Sequence, residues 1–337
     1  MNSKIIGKMR NYRFIKFSNN CSLNRSESAM YRFHETVELL ILPLNVIGNL
    51  LALFIFIKFR MPEKSMMYKI LAMFSLSEIL FGFFGSVYRY VTYFHFNSYL
   101  ITSETISAVT SDIMMQILLY FSLSMMINRN WLVVISAAYR YEAICCLNRN
   151  RKIFTDYGLK ILFSIATIGS LMISLPNFIA EGRVYCNESF FIEKSFEVFD
   201  KYKLYSIIYL NGLLLLGTII LPGTLVIIFT IGIMKILRKQ SSIRTRVLKS
   251  QSATQRNSFK SSNNLIVILC VLFVLLELPN CIRNMLHSFN VLSKRNDESL
   301  KLLTNLLVHF DSTINILIYF LSNPTFRGNF ISIFIKK

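Results

Sequence analysis

Long apolar runs, broken by short polar or basic stretches, dominate the chain from residue 37 onward. A bilayer core demands about 20 apolar residues in one helix, because hydrocarbon offers nothing to an unpaired backbone N–H or C=O. Seven runs reach that length, over residues 37–57, 70–94, 114–138, 161–179, 205–234, 265–286 and 302–321. They predict an all-α membrane protein, a seven-transmembrane helix bundle over residues 37–321, preceded by a tail over 1–36. After the bundle, residues 322–337 carry Phe326, Phe330 and Phe334 at four-residue spacing, with Arg327 and two terminal lysines. That pattern predicts a short amphipathic helix on the membrane surface rather than a frayed end. No internal repeat of the kind that builds inverted transporter halves is visible.

Composition fits this pattern, with 53% hydrophobic residues among 337, and a mean hydropathy of +0.48. Such a chain needs lipid as solvent. Lys and Arg number 37 against 18 Asp and Glu, a formal net charge of +19. An excess of this kind suits nucleic acid, an anionic lipid surface or membrane topology, and its placement decides among them. Lys58, Arg60, Lys64 and Lys69 follow the first run, and Arg149, Arg151 and Lys152 the third. Lys235, Arg238, Lys239, Arg244, Arg246, Lys249, Arg256 and Lys260 follow the fifth. By the positive-inside rule these loops face the cytoplasm. The mixed-charge loop after the fourth run (Glu181, Arg183, Glu188, Glu193, Lys194, Glu197, Asp200) then lies outside, together with the N-terminus. The expected partner of this pattern is therefore a lipid bilayer and no nucleic acid. Sequons at Asn20, Asn24 and Asn187 fall on the outer side and are glycosylation candidates. Residues 235–262, rich in Ser and basic residues and without an acid, are read as a mobile cytoplasmic loop. Six cysteines form no C-x-x-C or Cys/His spacing, so neither metal nor cofactor is expected. No nucleophile or His-rich arrangement points to an enzyme.

Short motifs recur in a fixed order along these runs. The first has Gly48-Asn49, the second Leu76-Ser77-Glu78, and the third ends in Tyr139-Arg140-Tyr141-Glu142-Ala143-Ile144. Pro222 lies in the fifth, Phe273 and Pro279 in the sixth, and Asn315-Ile316-Leu317-Ile318-Tyr319 in the seventh, followed by Phe326-Arg327. In order and spacing this pattern resembles the rhodopsin-like G-protein-coupled receptors over almost all of the chain beyond residue 35. The resemblance implies an extracellular ligand, a heterotrimeric G protein as partner, and activation roles for Arg140, Tyr141, Pro222, Phe273, Pro279, Asn315 and Tyr319.

Departures from the family pattern carry meaning. Tyr139 replaces the acid that pairs with the arginine in the family, which implies higher basal activity. Ile316 replaces a proline, so the kink of the seventh helix weakens. Glu277 stands where a tryptophan is usual, and the cysteine at the outer end of the third helix is absent, with Met115 roughly there. Cys186 thereby loses its usual partner, leaving Cys21 as the remaining candidate or a free thiol. Cys145 and Cys146 are palmitoylation candidates or a plain reduced pair.

An ionisable group at the bilayer centre costs about 2.5 to 3.5 kcal/mol on insertion scales, so each needs a partner or water. Glu78, Arg129, Glu277 and Asp311 are such groups. The resemblance gives Glu78 the position of a sodium-binding acid and aims Arg129 and Asp311 at the same cavity, near Asn49. The guanidinium of Arg129 is then expected to replace the ion between Glu78 and Asp311, either as a helix tie or as a switch.

Ligand contacts are sought in the outer third of the helices. Candidates are Tyr88, Arg89 and Tyr93 on the second and Asp112, Gln116 and Tyr120 on the third. The sixth offers Glu277, Asn280, Arg283, Asn284 and His287, and the seventh Lys301, Asn305 and His309. Ser122 and His309 stand where amine receptors and opsins carry their ligand-anchoring aspartate and lysine, which disfavours both classes. An outer loop of mixed charge and acids in the pocket suit a peptide with a basic residue. Arg129-Asn130-Trp131 and Glu277-Leu278-Pro279 resemble invertebrate FMRFamide- and myosuppressin-like neuropeptide receptors. A chemosensory receptor for small molecules is the alternative inside the family, and a transporter or channel the alternative outside it.

Overall fold

A computed structural model of the chain describes residues 15–18, 25–58, 66–99, 105–145, 154–180, 183–186, 189–191, 207–247, 253–288 and 294–334. In chain order the elements are β1 (Ile15–Ser18), α1 (Arg25–Lys58), α2 (Met66–Tyr99), α3 (Thr105–Cys145), α4 (Asp156–Ala180), β2 (Arg183–Cys186), β3 (Ser189–Phe191), α5 (Leu221–Val247), α6 (Ala253–Ser288), α7 (Lys294–Ser322) and α8 (Pro324–Phe334). π-helical turns over Ile207–Leu214 and Leu216–Ile220 lead into α5.

Seven of the helices contain spans long and apolar enough to cross a membrane. The spans fall where the hydrophobic runs place them, with ends moved by a few residues. The largest shift is in the fifth, whose span starts at Gly212 rather than at residue 205. On α1 the helical period sorts solvents: Leu40, Leu44, Ile47 and Phe54 are exposed, whereas Leu42, Asn45, Asn49 and Ala52 are buried. In water that arrangement would be inverted, so the exposed apolar stripe is a lipid face and the polar residues look inward. α1 packs against α2 and α7, and α3 runs through the middle, touching α2, α4, α5 and α6.

Local sequence explains several helix ends. Thr155 Oγ1 accepts the Gly158 N–H at 3.0 Å, and Asp156 adds a negative charge to the first turn of α4. Asn323 Oδ1 accepts the N–H groups of Thr325 and Phe326 at 3.1 Å each, with Pro324 as the first residue of α8. The surface helix is then held by rings: Phe326 packs on Phe56 and Tyr319, and Phe330 on Phe320.

Three features differ from the sequence reading. α1 begins at Arg25, inside the stretch expected as a tail, because a hydropathy window reports where a helix becomes apolar and not where it starts. Much of the expected mobile loop is helical, since α5 continues to Val247 and α6 starts at Ala253. No Gly or Pro interrupts residues 233–278, and Lys, Arg, Gln and Leu are good helix formers, so the polar composition does not stop the backbone. Lastly, β1 pairs in parallel with β2, Ser18 opposite Cys186, and β2 pairs antiparallel with β3, which adds a small three-stranded sheet to the helical bundle.

Candidate functional site

Arg129 is fully buried on α3 and gathers acids from three other helices. Its Nη2 donates to Glu277 Oε1 on α6 in the closest of these contacts. Nη1 lies 3.7 Å from Asp311 Oδ2 on α7, and Nε 3.9 Å from Glu78 Oε1 on α2. Nη1 also donates to Ser312 Oγ at 2.5 Å and to the Val308 carbonyl at 3.3 Å, while Nε donates to Asn130 Oδ1 at 3.2 Å. A planar guanidinium with five N–H groups can serve such a ring of acceptors, whereas an ammonium cannot reach them all. The expected bridge to Glu78 and Asp311 is therefore present as a geometry. Glu277, placed by the sequence reading among ligand contacts, is 2% exposed and belongs to this cluster instead.

The residues beside Arg129 extend the tie. Asn128 Nδ2 donates to Ser77 Oγ at 3.2 Å, Asn130 Nδ2 to the Thr218 carbonyl at 2.9 Å, and Trp131 Nε1 to the Gly217 carbonyl at 3.1 Å. Four consecutive residues of α3 thus engage α2, the π-helical turn before α5, α6 and α7. Asn315 Nδ2 donates to Glu78 Oε1 at 3.0 Å and Asn49 Nδ2 to the Ser312 carbonyl at 3.2 Å, while Asn45 Nδ2 donates to the Glu78 carbonyl at 3.2 Å. Gly82 permits that last bond, for a Cβ there would lie 2.8 Å from Asn45 Nδ2.

A second buried cluster, which the sequence reading missed, has the opposite composition. Glu38 on α1 is fully buried, with Arg89 Nε 2.5 Å from its Oε2. Two histidines approach its other oxygen: His309 Nε2 at 3.1 Å and His34 Nε2 at 3.4 Å. Burial pushes the His34 imidazole down to about 4, so it is uncharged near neutral pH. The only sequence signal was His34 and Glu38 at helical spacing on the edge of the first apolar run. Phe81 joins the two clusters: His309 stacks on its ring at 5.4 Å, and the Arg129 guanidinium carbon lies 5.7 Å from the same centroid.

At the far end of α3, Arg140 is buried with its guanidinium carbon 5.8 Å from the Tyr139 ring, which packs edge-on against Phe154. Tyr141 is more exposed, lying on Phe229 and over Gly232, where a Cβ would sit 2.6 Å from its ring. Phe273, Asn315, Asp311 and Cys270 line a small cavity between this end and the Arg129 cluster, and Tyr319 is buried beside Phe56 and Phe326. Pro279 sits inside α6, two residues beyond Glu277, and Pro222 in the first turn of α5.

Of the remaining ligand candidates, Tyr120, Arg283, Asn284, Gln116 and Asn305 are half-buried. Tyr120 donates its hydroxyl to the Leu171 carbonyl at 3.1 Å. Arg283 holds Asp297 through both oxygens at 2.9 Å and donates to Asn284 Oδ1 at 3.0 Å, joining the ends of α6 and α7. The side chains of Tyr93, Asp112, His287 and Cys186, together with Asn20, Asn24, Asn187 and Cys21, lie outside the described residues. Cys270 and Cys281 are free thiols.

A membrane bundle of seven spans, closed by α1 against α7 and centred on α3, defines a seven-transmembrane receptor. The chain matches the model of the rhodopsin family of 7 transmembrane receptors over residues 48–319, and it belongs to that family. It is accordingly a multi-pass G-protein-coupled receptor and not an enzyme. A sequence comparison with curated proteins gives no significant match.

Proposed function

We propose that the protein is a plasma-membrane receptor with its N-terminus outside, that it binds an extracellular peptide, and that the Arg129–Glu277 contact holds its resting state. The contact carries this reading because it bolts α3 to α6 two residues before Pro279, the one interruption in α6. A ligand shifts the equilibrium only by its difference in affinity for two helix arrangements, so a bolt near the hinge sets the energy that ligand must overcome. Release would let the cytoplasmic end of α6 move, and Arg140, Tyr141 and the basic ends of α5 and α6 would meet the G protein.

Two features support a peptide over a small odorant. The Arg129-Asn130-Trp131 and Glu277-Leu278-Pro279 motifs resemble invertebrate neuropeptide receptors, and Arg129, Asn130, Trp131 and Glu277 join in one hydrogen-bonded network. The β1–β2–β3 sheet offers extended backbone to which a peptide can add main-chain hydrogen bonds. Recording G-protein activation in cells against a library of amidated peptides, with ion flux in parallel, tests the reading. A peptide that activates without flux supports it, small-molecule responses alone favour the chemosensory alternative, and substrate-driven flux favours a transporter.

A further inference from the structure

We infer that Arg89 is the docking point for an oxyanion, a carboxylate or phosphate-type group, on the extracellular ligand; this rests on the sidedness and ligand reading above. The sequence alone suggested acids waiting for a basic ligand; of these, Asp112 and the acids of the outer loop lie outside the described residues, and Glu277 faces Arg129. Among the described side chains, Glu277 and Asp311 face Arg129, Asp297 is held through both oxygens by Arg283, and Glu38 is enclosed by Arg89, His34 and His309.

Arg89 is different. Its ion pair with Glu38 is made by Nε, and the side chain keeps 26% exposure while its carboxylate partner has none. The Tyr88 ring, with its centroid 5.5 Å from the guanidinium carbon, supports the same plane. With Nε the nitrogen paired to Glu38, the two Nη groups form a fork, and that fork matches carboxylate and phosphate oxygens in pairs. Glu38 acts here as a positioning residue and as a competing charge. His309, beside Glu38 and stacked on Phe81, places the docking point one ring away from Arg129. An anion that draws Arg89 outward weakens its hold on Glu38, and the disturbance reaches the inner cluster through those contacts.

The test uses the full chain purified in maltoside micelles free of phospholipid, with its melting temperature read against sodium acetate, phosphate or chloride at matched ionic strength. Acetate or phosphate should raise the melting temperature saturably while chloride does not. Acetate alone points to a ligand carboxylate, phosphate alone to a phosphorylated ligand or lipid headgroup, and both to the shared fork. Arg89→Gln should abolish the rise, and Arg89→Lys, which keeps the charge beside Glu38, should weaken binding several-fold. Glu38→Gln removes a competing charge a few ångströms away and should tighten binding at least about tenfold. No response to either oxyanion, an undiminished response in Arg89→Gln, or unchanged affinity in Glu38→Gln overturns the inference. Nucleotide exchange on purified G proteins with the same preparation separates the two claims. Exchange without an oxyanion response defeats the docking point alone, and an oxyanion response without exchange defeats the receptor reading.

Discussion

The two charge clusters are mirror images in composition and differ in what surrounds them. Around Arg129 one cation faces three acids, with every member at or below 10% side-chain exposure. Around Glu38 one acid faces a guanidinium and two imidazoles, and Arg89 retains contact with solvent. Removing one partner from a buried pair strands the other charge, at about 3 to 5 kcal/mol, whereas a partly exposed partner can recover water. That difference fits the proposed roles: the Arg129 cluster as a structural bolt, and the Glu38 cluster, with its partly exposed guanidinium, as the place for ligand recognition.

The comparison breaks most visibly at its centre. Arg129→Gln leaves three carboxylates without their cation and should cost about 3 to 5 kcal/mol, read as loss of surface receptor and of the unfolding transition in detergent. Glu38→Gln should cost less, about 1 to 3 kcal/mol, because Arg89 can turn to solvent; a loss equal to that of Arg129→Gln would erase the distinction. Tyr139→Asp puts a carboxylate beside Arg140 and should lower ligand-independent signalling about fivefold at equal surface level, the scale of a modest coupling energy. Phe81→Leu, which keeps an apolar side chain and removes the ring, should cost about 1 kcal/mol. Its effect should also be non-additive with Glu38→Gln in a melting double-mutant cycle, and simple additivity would mean that the clusters are independent.

Much of this was legible in the sequence, for physical reasons. Segments long enough to cross lipid are set by composition, and a charge inside one stands out against apolar neighbours, as Glu78, Arg129, Glu277 and Asp311 do. Glu38 did not stand out. It lies one residue inside the first expected span, where an acid reads as an interfacial side chain, and apart from His34 its partners come from α2 and α7, far away in sequence. Glu277 was visible as a charge but not by facing: counting from Pro279 placed it near a ligand, and only the packing of α6 on α3 turns it to Arg129. Tyr120 likewise looked like a pocket hydroxyl until Leu171 of α4 was seen to accept its hydrogen bond. Residues 235–262 misled in the other direction, since polar composition argues for exposure and not against a helix.

The central claim is that Arg129 and Glu277 bolt α3 to α6 in the resting receptor. Glu277→Gln tests it most directly, for it weakens the bolt while Glu78 and Asp311 still neutralise Arg129, so the fold survives. G-protein nucleotide exchange without ligand, measured at matched surface expression, should rise above wild type. Exchange at or below the wild-type rate would contradict the account.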